Sequence, residues 1–356
     1  MKDYFFAEKI IAWYHKNKRD LPWRGTRDPY RIWLSEVILQ QTRVKQGLPY
    51  YERFLAAYPD VFALASATEA EVLRLWQGLG YYSRARNLHA CAREIVNQHH
   101  GKFPKNYAGL LKLKGVGDYT AAAIASFAYN QTVAVLDGNV FRVLARVFGI
   151  DQDILSSAGQ KTFKQIATDQ VPQGQADQYN QAIMEFGALQ CTPQSPACLL
   201  CPVSDMCYAF QHNAQKRLPV KIKKVKVRKR YLSYIVIRQG KHIYMQPRLK
   251  QDIWKSLYEF YLLETPHPVS SIEDLPDDQL LKKILQAGHT VEMSDVYRHQ
   301  LTHQQLFVRF FVIDTKEKDL ANSLIKGESL QLYSPEEVRK LPKPILIDNY
   351  LGEVIF

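Results

Sequence analysis

Apolar residues recur every three or four positions through the first 210 residues of the chain, as in FFAEKIIAWY, YYERFLAAY and VFRVLARVFGI. This spacing predicts a succession of amphipathic α-helices. Helix start signals fit the pattern. Asp28-Pro29 suits an N-cap followed by a first-turn proline, and Ser66 and Thr68 each precede a glutamate by three positions.

Farther along, the hydrophobic period falls to two. YLSYIVIRQGKHIYMQP alternates and turns at Gln239-Gly240, QQLFVRFFVID is strand-rich, and SPEEVRKLP starts like a helix. The intervening residues 216–230 hold nine Lys or Arg in fifteen positions, which is typical of a solvated linker. We therefore predict a helical domain over 1–212, a basic linker over 213–229 and an α+β domain over 230–356.

Composition narrows the class of protein. With 356 residues, 46% hydrophobic and 23% charged, the chain is expected to be a multidomain soluble protein. No apolar run reaches membrane-spanning length, and the charged N-terminus lacks a secretory pattern, so we expect a cytoplasmic protein with no membrane partner. A net charge of +12 favours a polyanionic partner, although an ordinary basic protein remains an alternative.

Four of the five cysteines stand in CTPQSPACLLCPVSDMC, separated by six, two and five residues. Thiols stay reduced inside cells, so disulfides are the weakest interpretation and a metal site is favoured. Zinc and an iron–sulfur cluster both accept four thiolates, and ligand type alone does not separate them. The remaining cysteine, Cys91, lies in a helical pattern and is predicted to be a buried small hydrophobe.

The stretch LKLKGVGDYTAAAIASFAY predicts two helices joined by a tight hairpin at Gly115, Val116 and Gly117. Glycines let the backbone approach another molecule closely, and the helix that follows offers its N-terminal amides to a phosphate. These features favour a helix–hairpin–helix DNA-binding element. A simple interhelical turn remains the alternative.

Two carboxylates are candidates for chemistry. Asp137, in VLDGNVF, is placed to cap a helix, and backbone donors there would keep it ionised and rigid. Glu36, in WLSEVILQQ, has almost no polar neighbours, although a lone helical glutamate more often faces solvent. Burial would raise the pKa of Glu36 and allow it to donate a proton near neutral pH.

Together the hairpin, the Leu-Asp-Gly-Asn that follows it and the cysteine spacing resemble the endonuclease III-like superfamily of DNA glycosylases. The resemblance implies a [4Fe–4S] cluster; its ligands would be Cys191, Cys198, Cys201 and Cys207. Within that superfamily, LPWR (21–24), WLSEVILQQTRV (33–44) and GLGYYSRARNLH (78–89) resemble the MutY adenine glycosylases. That family's fold implies a six-helix part over about 29–134, an iron–sulfur half formed by the N-terminal segment and about 135–212, and a MutT/Nudix-like C-terminal domain.

The family mechanism, carried to this sequence, makes Glu36 the acid that protonates N7 of adenine. Asp137 would stabilise the oxocarbenium ion, and Asn139 matches another pocket position. Tyr119 stands where bifunctional relatives carry a lysine, and because a phenol cannot form an imine, the chain is expected to be monofunctional. The implied partner is double-stranded DNA with adenine opposite 8-oxoguanine or guanine, bound by a monomer.

The resemblance also implies DNA contacts. Positions that wedge into or probe the duplex match Gln41, Leu79 and Tyr81, although Leu79 also suits an ordinary core. Positions near the flipped adenine match Arg24 and Gln181. In the C-terminal domain Leu301, Thr302 and His303 fall where the family has Phe-Ser-His, and the glutamates that would bind magnesium are missing. We therefore expect recognition of 8-oxoguanine without pyrophosphate hydrolysis.

Two rival functions remain at this point. A bifunctional glycosylase with lyase activity on oxidised pyrimidines shares the hairpin and the cysteines, but Tyr119 and the extra domain disfavour it. A DNA-binding protein without enzymatic activity would need only the hairpin and the metal site. In that case Glu36 would have no chemical role.

Overall fold

The structure, a computed structural model, describes residues 4–222, 227–315 and 329–355. It divides into two compact units: residues 1–67 with 86–223, and residues 68–85 with 224–356. The second unit therefore includes a segment from the helical part of the chain. The predicted boundaries had kept residues 68–85 with the helical domain.

Residues 4–222 are helical, as the apolar spacing predicted. Their α-helices are α1 (Phe5–Asn17), α2 (Pro29–Leu39), α3 (Val44–Ala57), α4 (Val61–Ser66), α5 (Glu69–Trp76), α6 (Ser83–His99), α7 (Tyr107–Leu110), α8 (Asp118–Tyr129), α9 (Gly138–Phe148), α10 (Ser157–Gln170), α11 (Ala176–Leu189) and α12 (Tyr208–Gln211). Short 3₁₀ turns occur at Cys198–Leu200 and Ser204–Met206. No helix in the described part of the chain has the length and apolar character needed to cross a bilayer.

Helix starts follow the predicted signals with one exception. The Asp28 side chain accepts from Tyr30 N at the start of α2, and Thr68 forms a capping box with Glu71 at the start of α5. Ser66 does not act as a cap, because it is the last residue of α4 and its hydroxyl donates to the Ala63 carbonyl. The Ser66 prediction was wrong.

The core of the first unit joins α1 to α9 and α11. Phe6 and Ile10 of α1 share one buried cluster with Val143 and Ile183, and the Phe6 ring meets Tyr179 edge-on. Burying a side chain of this size stabilises the fold by about 1.5–3 kcal/mol. The N-terminal helix is thereby held against α9 and against α11, which directly precedes the cysteine-rich loop.

The predicted linker over 213–229 is only partly a linker. Ala214 and Leu218 are buried in the core of the first unit, and Val220 O accepts from Ile154 N at 3.1 Å. At its other end Arg228 already begins a strand. The prediction of a solvated segment was therefore wrong for these positions, and residues 223–226 lie outside the described residues.

The C-terminal part is built on one sheet. In its described residues the strands are β1 (Arg228–Gln239), β2 (His242–Pro247), β3 (Tyr258–Glu259), β4 (Tyr261–Thr265), β5 (Gly288–Met293), β6 (Tyr297–Gln300), β7 (Gln304–Thr315) and β8 (Gln331–Tyr333). β1 runs parallel to β7 and antiparallel to β2 and β4, while β5 and β6 pair antiparallel with β7. Gln239 pairs with His242, so Gly240 and Lys241 form the predicted hairpin turn.

Helices accompany this sheet. They are α13 (Gln279–Ala287), α14 (Pro335–Lys340) and α15 (Ile345–Tyr350). Leu281 and Ile284 of α13 share a buried cluster with Ile235 and Ile313 of the sheet. The structure therefore has the α+β C-terminal domain that the change of hydrophobic period predicted. Of the predicted 230–356, residues 316–328 and 356 lie outside the described residues.

Candidate active site

The predicted hairpin lies between α7, which ends at Leu110, and α8. Gly115 has φ +74°, and a Cβ there would lie 2.6 Å from the Asn87 Cβ, so both backbone and packing require glycine. Gly117 caps α8 without a side-chain hydrogen bond and has open space around its Cα. The first amides of α8 are thus left without a capping side chain.

Glu36 lies in the middle of α2, where every residue from Ile32 to Ile38 is buried. Its own exposed fraction is 5%. The carboxyl Oε2 accepts a 2.5 Å hydrogen bond from the Tyr119 hydroxyl, which belongs to α8. The apolar sequence around Glu36 therefore buries the carboxyl as predicted and gives it a neutral partner.

The pKa of Glu36 is raised to about 7: burial is the largest cause, the Tyr119 hydrogen bond opposes it, nearby Asp137 adds to the rise and Arg24 lowers it. Near neutral pH the carboxyl is therefore divided between its acid and its anion. A group in this state can both hold a proton and release it.

Asp137 caps α9 and accepts from Val140 N at 2.7 Å and from Asn139 Nδ2 at 2.8 Å. These are the backbone and side-chain donors expected of a capping carboxylate. Burial nevertheless raises the pKa of Asp137 above its ordinary value, against the effect of these donors and of Arg142. The predicted rigidity is present, and the predicted ease of ionisation is reduced by burial.

A single cavity of about 610 Å³ joins these groups. Of the residues singled out in the sequence, those that line it are Glu36, Asp137, Tyr119, Asn139, Arg24 and Gln181. They come from the N-terminal segment and from four helix regions spread over 160 residues of sequence. Gln41 follows the end of α2 with φ +55° and an exposed side chain, and it does not line this cavity.

Glu185 is a cavity residue that the sequence analysis missed. It is buried on α11 and accepts from Arg24 NH2 at 2.6 Å and from Arg19 NH2 at 2.5 Å. Burial raises the pKa of Glu185, but the hydrogen bonds from Arg19 and Arg24 outweigh it, and the pKa is lowered to about 2. Its sequence context, IMEFG, shows the same signal that singled out Glu36, a glutamate among apolar helical neighbours.

The four cysteines Cys191, Cys198, Cys201 and Cys207 line one small cavity and form no disulfide. Arg146 NH1 lies 3.4 Å from Cys191 Sγ, and Gln215 Nε2 lies 3.9 Å from Cys198 Sγ. Donors directed at sulfur suit thiolates that hold a positively charged centre. The donor set therefore fits a four-thiolate metal group. Cys91 is fully buried elsewhere, as predicted.

Arg142 connects the cysteine loop to the carboxylate of the cavity. Its Nε donates to Cys191 O at 2.8 Å and its NH2 to Asn139 Oδ1 at 2.8 Å, while Asn139 donates to Asp137. A third hydrogen bond reaches Gly187 O on α11. The loop that carries the cysteines thus supports the residue that orients Asp137.

In the second unit, residues 301–303 form the turn between β6 and β7, closed by Leu301 N donating to Gln304 O at 2.8 Å. Thr302 and His303 are exposed. Tyr81, 45% exposed with φ +48°, is hydrogen-bonded through its hydroxyl to Thr302 Oγ1. Leu79 is only 7% exposed.

The second unit also has a groove of about 370 Å³ that contains carboxylates and cations. Arg248 NH1 contacts both oxygens of buried Glu259, at 3.0 and 2.9 Å. Arg230 donates twice to Glu264 at 2.7 Å, and both arginines pair with Asp252. The carboxylates of this groove are therefore neutralised by cations of the chain itself.

Comparison with known families identifies the class. The description "HhH-GPD superfamily base excision DNA repair protein" belongs to a model that matches residues 34–168, and "Iron-sulfur binding domain of endonuclease III" to one that matches residues 191–207. A "NUDIX domain" model matches residues 233–353. The fold and the site thus define a base-excision repair protein that carries an iron–sulfur module and a Nudix domain.

The relatives narrow this class. An adenine DNA glycosylase of Buchnera aphidicola subsp. Schizaphis graminum is 31% identical over 347 residues, 97% of this chain and 98% of that protein. One from Rattus norvegicus is 45% identical over 222 residues, 60% of this chain and 43% of that protein. The chain belongs to the adenine DNA glycosylase family. The solved structure of a thermostable thymine-DNA glycosylase is also similar, with a TM-score of 0.55 and 31% identity over 58% of this chain and 96% of that one.

These comparisons confirm the predicted resemblance and fold class. They also confirm the cofactor: the iron–sulfur match spans all four clustered cysteines, so the prosthetic group is a [4Fe–4S] cluster rather than zinc.

Proposed function

We propose that this protein is a monofunctional adenine DNA glycosylase that excises adenine from double-stranded DNA when adenine lies opposite 8-oxoguanine or guanine. The observation that carries the proposal is that Glu36 and Asp137 line one cavity, in which Tyr119 of α8 donates a hydrogen bond to Glu36 of α2. The family relationship supports hydrolytic removal of a base. We propose further that the protein acts as a monomer.

In the proposed mechanism the cavity receives an adenine that has rotated out of the duplex. Glu36, as the neutral acid, transfers its proton to N7 of adenine. The bond between the sugar C1′ and N9 then breaks, and its electron pair leaves with the base. Water adds to C1′ and its proton passes to the Glu36 carboxylate, which leaves an abasic site and restores the acid. Because a neutral base departs, the proton on N7 lowers the barrier to bond breaking.

Asp137 has the complementary role. As the C1′–N9 bond breaks, positive charge develops on the sugar, and an anion held by Val140 N and Asn139 can stabilise it without reorganising. The two carboxyl groups thus divide the work of glycoside hydrolysis between an acid and an anion. Tyr119 donates to Glu36 and offers no amine, which supports hydrolysis without a Schiff base.

Recognition of the base is assigned to the polar wall of the cavity. Glu185 is fixed by Arg19 and Arg24, and Gln181 accepts from the Tyr14 hydroxyl at 3.0 Å. Acceptors held this firmly suit the exocyclic amino group of adenine. We assign Arg24, Gln181 and Glu185 to the adenine pocket on this basis.

DNA contacts are assigned to three further places. The hairpin at 115–117 suits a backbone phosphate, since α8 begins there with amides that lack a capping side chain. Gln41, Leu79 and Tyr81 are proposed to replace or probe the displaced base, and for buried Leu79 this requires rearrangement on binding. The turn 301–303 is proposed to read 8-oxoguanine through Thr302 and His303. Leu301, which lacks an aromatic ring, is expected to stack less well than phenylalanine.

Cys191, Cys198, Cys201 and Cys207 would hold the [4Fe–4S] cluster, which would cross-link the loop between α11 and α12. Arg142 and Arg146 would then pack that loop against α9. In this proposal the cluster's contribution is to hold the loop, and proton transfer belongs to Glu36.

An excision assay tests the proposal. Duplexes with a single adenine opposite 8-oxoguanine, guanine, thymine or cytosine are incubated with excess protein, and abasic sites are cleaved with alkali. We expect release opposite 8-oxoguanine first, then guanine, with little opposite thymine or cytosine. Borohydride trapping is expected to leave little covalent adduct. Strand cleavage without alkali, together with strong trapping, would instead support the bifunctional alternative.

A further inference from the structure

The segment 77–82 carries residues proposed to probe DNA, yet it groups with the C-terminal unit. Its backbone is unusual: Gly78 and Gly80 have φ +98° and +73°, and Tyr81 has φ +48°. Glycine adopts these angles freely, but a tyrosine pays about 1–2 kcal/mol for the left-handed region. A loop of this shape needs partners that hold it in place.

Some of these partners are local. Gly80 O accepts from Trp76 Nε1 at 3.0 Å and from Arg84 NH2 at 3.2 Å. Gly78 N donates to the Tyr82 hydroxyl at 3.4 Å. The Tyr82 hydroxyl thus joins the last residue of the loop to Gly78 near its start.

The same hydroxyl also contacts a residue outside the loop. Tyr82 donates to Lys343 O at 3.3 Å, and Lys343 N donates to Gln77 Oε1 at 3.4 Å. The backbone of one residue therefore contacts both ends of the loop. Tyr82 itself is buried. Both hydrogen bonds are long, so we expect them to govern the conformation of the loop rather than the stability of the whole protein.

The position of the Lys343 backbone is fixed by the contacts of its side chain, of which only 1% is exposed. The ammonium donates to Val338 O at 2.6 Å and Leu341 O at 3.0 Å, and it pairs with Asp348 at 3.3 Å. A buried ammonium is costly unless its donors are satisfied. Here its three partners fix the turn between α14 and α15 that presents the Lys343 backbone to the loop.

We propose that the hydrogen bonds of Tyr82 and Gln77 with the Lys343 backbone, here called the latch, set the conformation of loop 77–82. We propose further that this latch is needed to distinguish 8-oxoguanine from guanine. The Tyr81 hydroxyl reaches Thr302 of the turn proposed to read 8-oxoguanine, so the loop meets the C-terminal domain at a second place. Tyr82 and Lys343 are thus positioning residues. The part of this inference that concerns discrimination rests on the proposed function.

The substitution Tyr82→Phe tests the latch in the full-length protein, because it removes the hydroxyl and keeps the buried ring. Its matched control is Tyr244→Phe, which removes a hydroxyl bonded to Gln239 from a buried tyrosine of the same unit. We expect amide hydrogen exchange at residues 78–82 to become about fivefold faster in Tyr82→Phe only, the factor expected for one net hydrogen bond. The midpoint of thermal unfolding is expected to be the same in both variants.

The second readout is the ratio of single-turnover excision rates for adenine opposite 8-oxoguanine and opposite guanine. We expect Tyr82→Phe to reduce this ratio about fivefold. Lys343→Met, which removes the ammonium but keeps an apolar chain, is expected to reduce it too. In the double variant the two effects are expected to be less than additive, because both act on one latch.

Three outcomes would overturn the latch: exchange rates that match in Tyr82→Phe and Tyr244→Phe, faster exchange with an unchanged ratio, or fully additive effects in the double variant. Failure of the proposed function looks different. In that case the unsubstituted protein itself releases no adenine opposite 8-oxoguanine, and the exchange experiment still decides whether the latch holds the loop.

Discussion

Glu36 in the first unit and the arginine-paired Glu264 and Asp252 in the second unit have opposite pKa shifts, and Glu185 of the first unit follows the arginine-paired pattern. In the first unit Glu36 has a neutral tyrosine as its hydrogen-bond partner, and burial raises its pKa to about 7. In the second unit Glu264 and Asp252 face arginines, which lower the pKa of both carboxyl groups. Glu259 lies between these cases, since burial still raises its pKa although Arg248 opposes the rise.

This difference separates a site for proton transfer from a structural ion-pair network. A buried carboxyl without a cation retains its proton to neutral pH and can act as an acid, whereas a carboxyl paired with arginine stays ionised and fixed. In the Nudix domain of this chain, the groove carboxylates Glu259 and Glu264 form ion pairs with Arg248 and Arg230. That arrangement supports the prediction of recognition without pyrophosphate hydrolysis.

Breaking the arginine pairing should have the largest effect on stability. Arg248→Met leaves Glu259 buried with only the Tyr234 hydroxyl among its present donors, and we expect a loss of about 3–5 kcal/mol. Without Arg248 the pKa of Glu259 rises further, so the loss should grow as the pH rises from 6 to 8. Urea unfolding at both pH values measures it.

Arg238→Met is the control for this experiment. The Arg238–Asp314 pair is 24% and 47% exposed, and its loss is expected to cost less than about 1 kcal/mol. Equal losses in the two variants would contradict the distinction between a buried network and a surface pair.

Asp137→Asn should slow excision about 10²–10³-fold, since it removes the anion that stabilises the sugar cation. Asparagine can still accept from Val140 N, so the start of α9 is expected to persist. Single-turnover rates with bound DNA measure the loss. Asp28→Asn, at the N-cap of α2, serves as the control and is expected to leave the rate nearly unchanged. If it slowed excision equally, helix capping rather than charge would be responsible.

Glu36→Gln should stabilise the protein at alkaline pH. The folded-state pKa of about 7 lies above the ordinary 4.5, so the stability that protonated Glu36 contributes is present below 4.5 and is lost as the pH rises to 7. Glutamine does not ionise, so the variant should gain about 3 kcal/mol over the unsubstituted protein between pH 5 and 8. Calorimetry at several pH values measures this gain.

Glu185→Gln is expected to behave in the opposite way. The pKa of Glu185, lowered to about 2, means that its ion pairs are intact throughout this pH range. The variant should be less stable by the same amount at pH 6 and pH 8. If Glu185→Gln instead became more stable than the unsubstituted protein as the pH rises, Glu185 and Glu36 would not differ in protonation as proposed.

Tyr119→Phe should have the smallest effect. The hydroxyl lowers the pKa of Glu36, so its removal should raise that pKa. In a plot of excision rate against pH, the fall in rate on the alkaline side should therefore move to higher pH by about one unit or less. The control is Tyr129→Phe, whose hydroxyl donates to the Phe103 carbonyl at 3.5 Å and not to Glu36. A shift toward lower pH in Tyr119→Phe would contradict the assigned hydrogen bond.

Local signals predicted much of this molecule because the forces involved are local. The apolar spacing predicted the helices, Asp28-Pro29 predicted the start of α2, and the change to period two predicted the sheet. Glu36 was singled out because its immediate neighbours on α2 are apolar. Its burial follows because every residue of α2 from Ile32 to Ile38 is buried.

The errors came from interactions between distant parts of the sequence. The charged composition of 213–229 predicted solvation, but Ala214 and Leu218 are buried by helices far away in sequence. Glu185 was missed because its partners, Arg19 and Arg24, come from the opposite end of the helical region. The partnership of Tyr82 with Lys343 joins residues 261 positions apart, which no local pattern reports.

The role of Glu36 is tested most directly by the rate of adenine release as a function of pH. This rate is measured under single-turnover conditions for the unsubstituted protein and for Glu36→Gln. We expect the unsubstituted rate to be level below pH about 7 and to fall about tenfold per unit above it, as the acid ionises. Glu36→Gln should bind the same duplex and release adenine at least about a thousandfold more slowly at every pH. Release by Glu36→Gln within tenfold of the unsubstituted rate, with the same pH profile, would contradict the account.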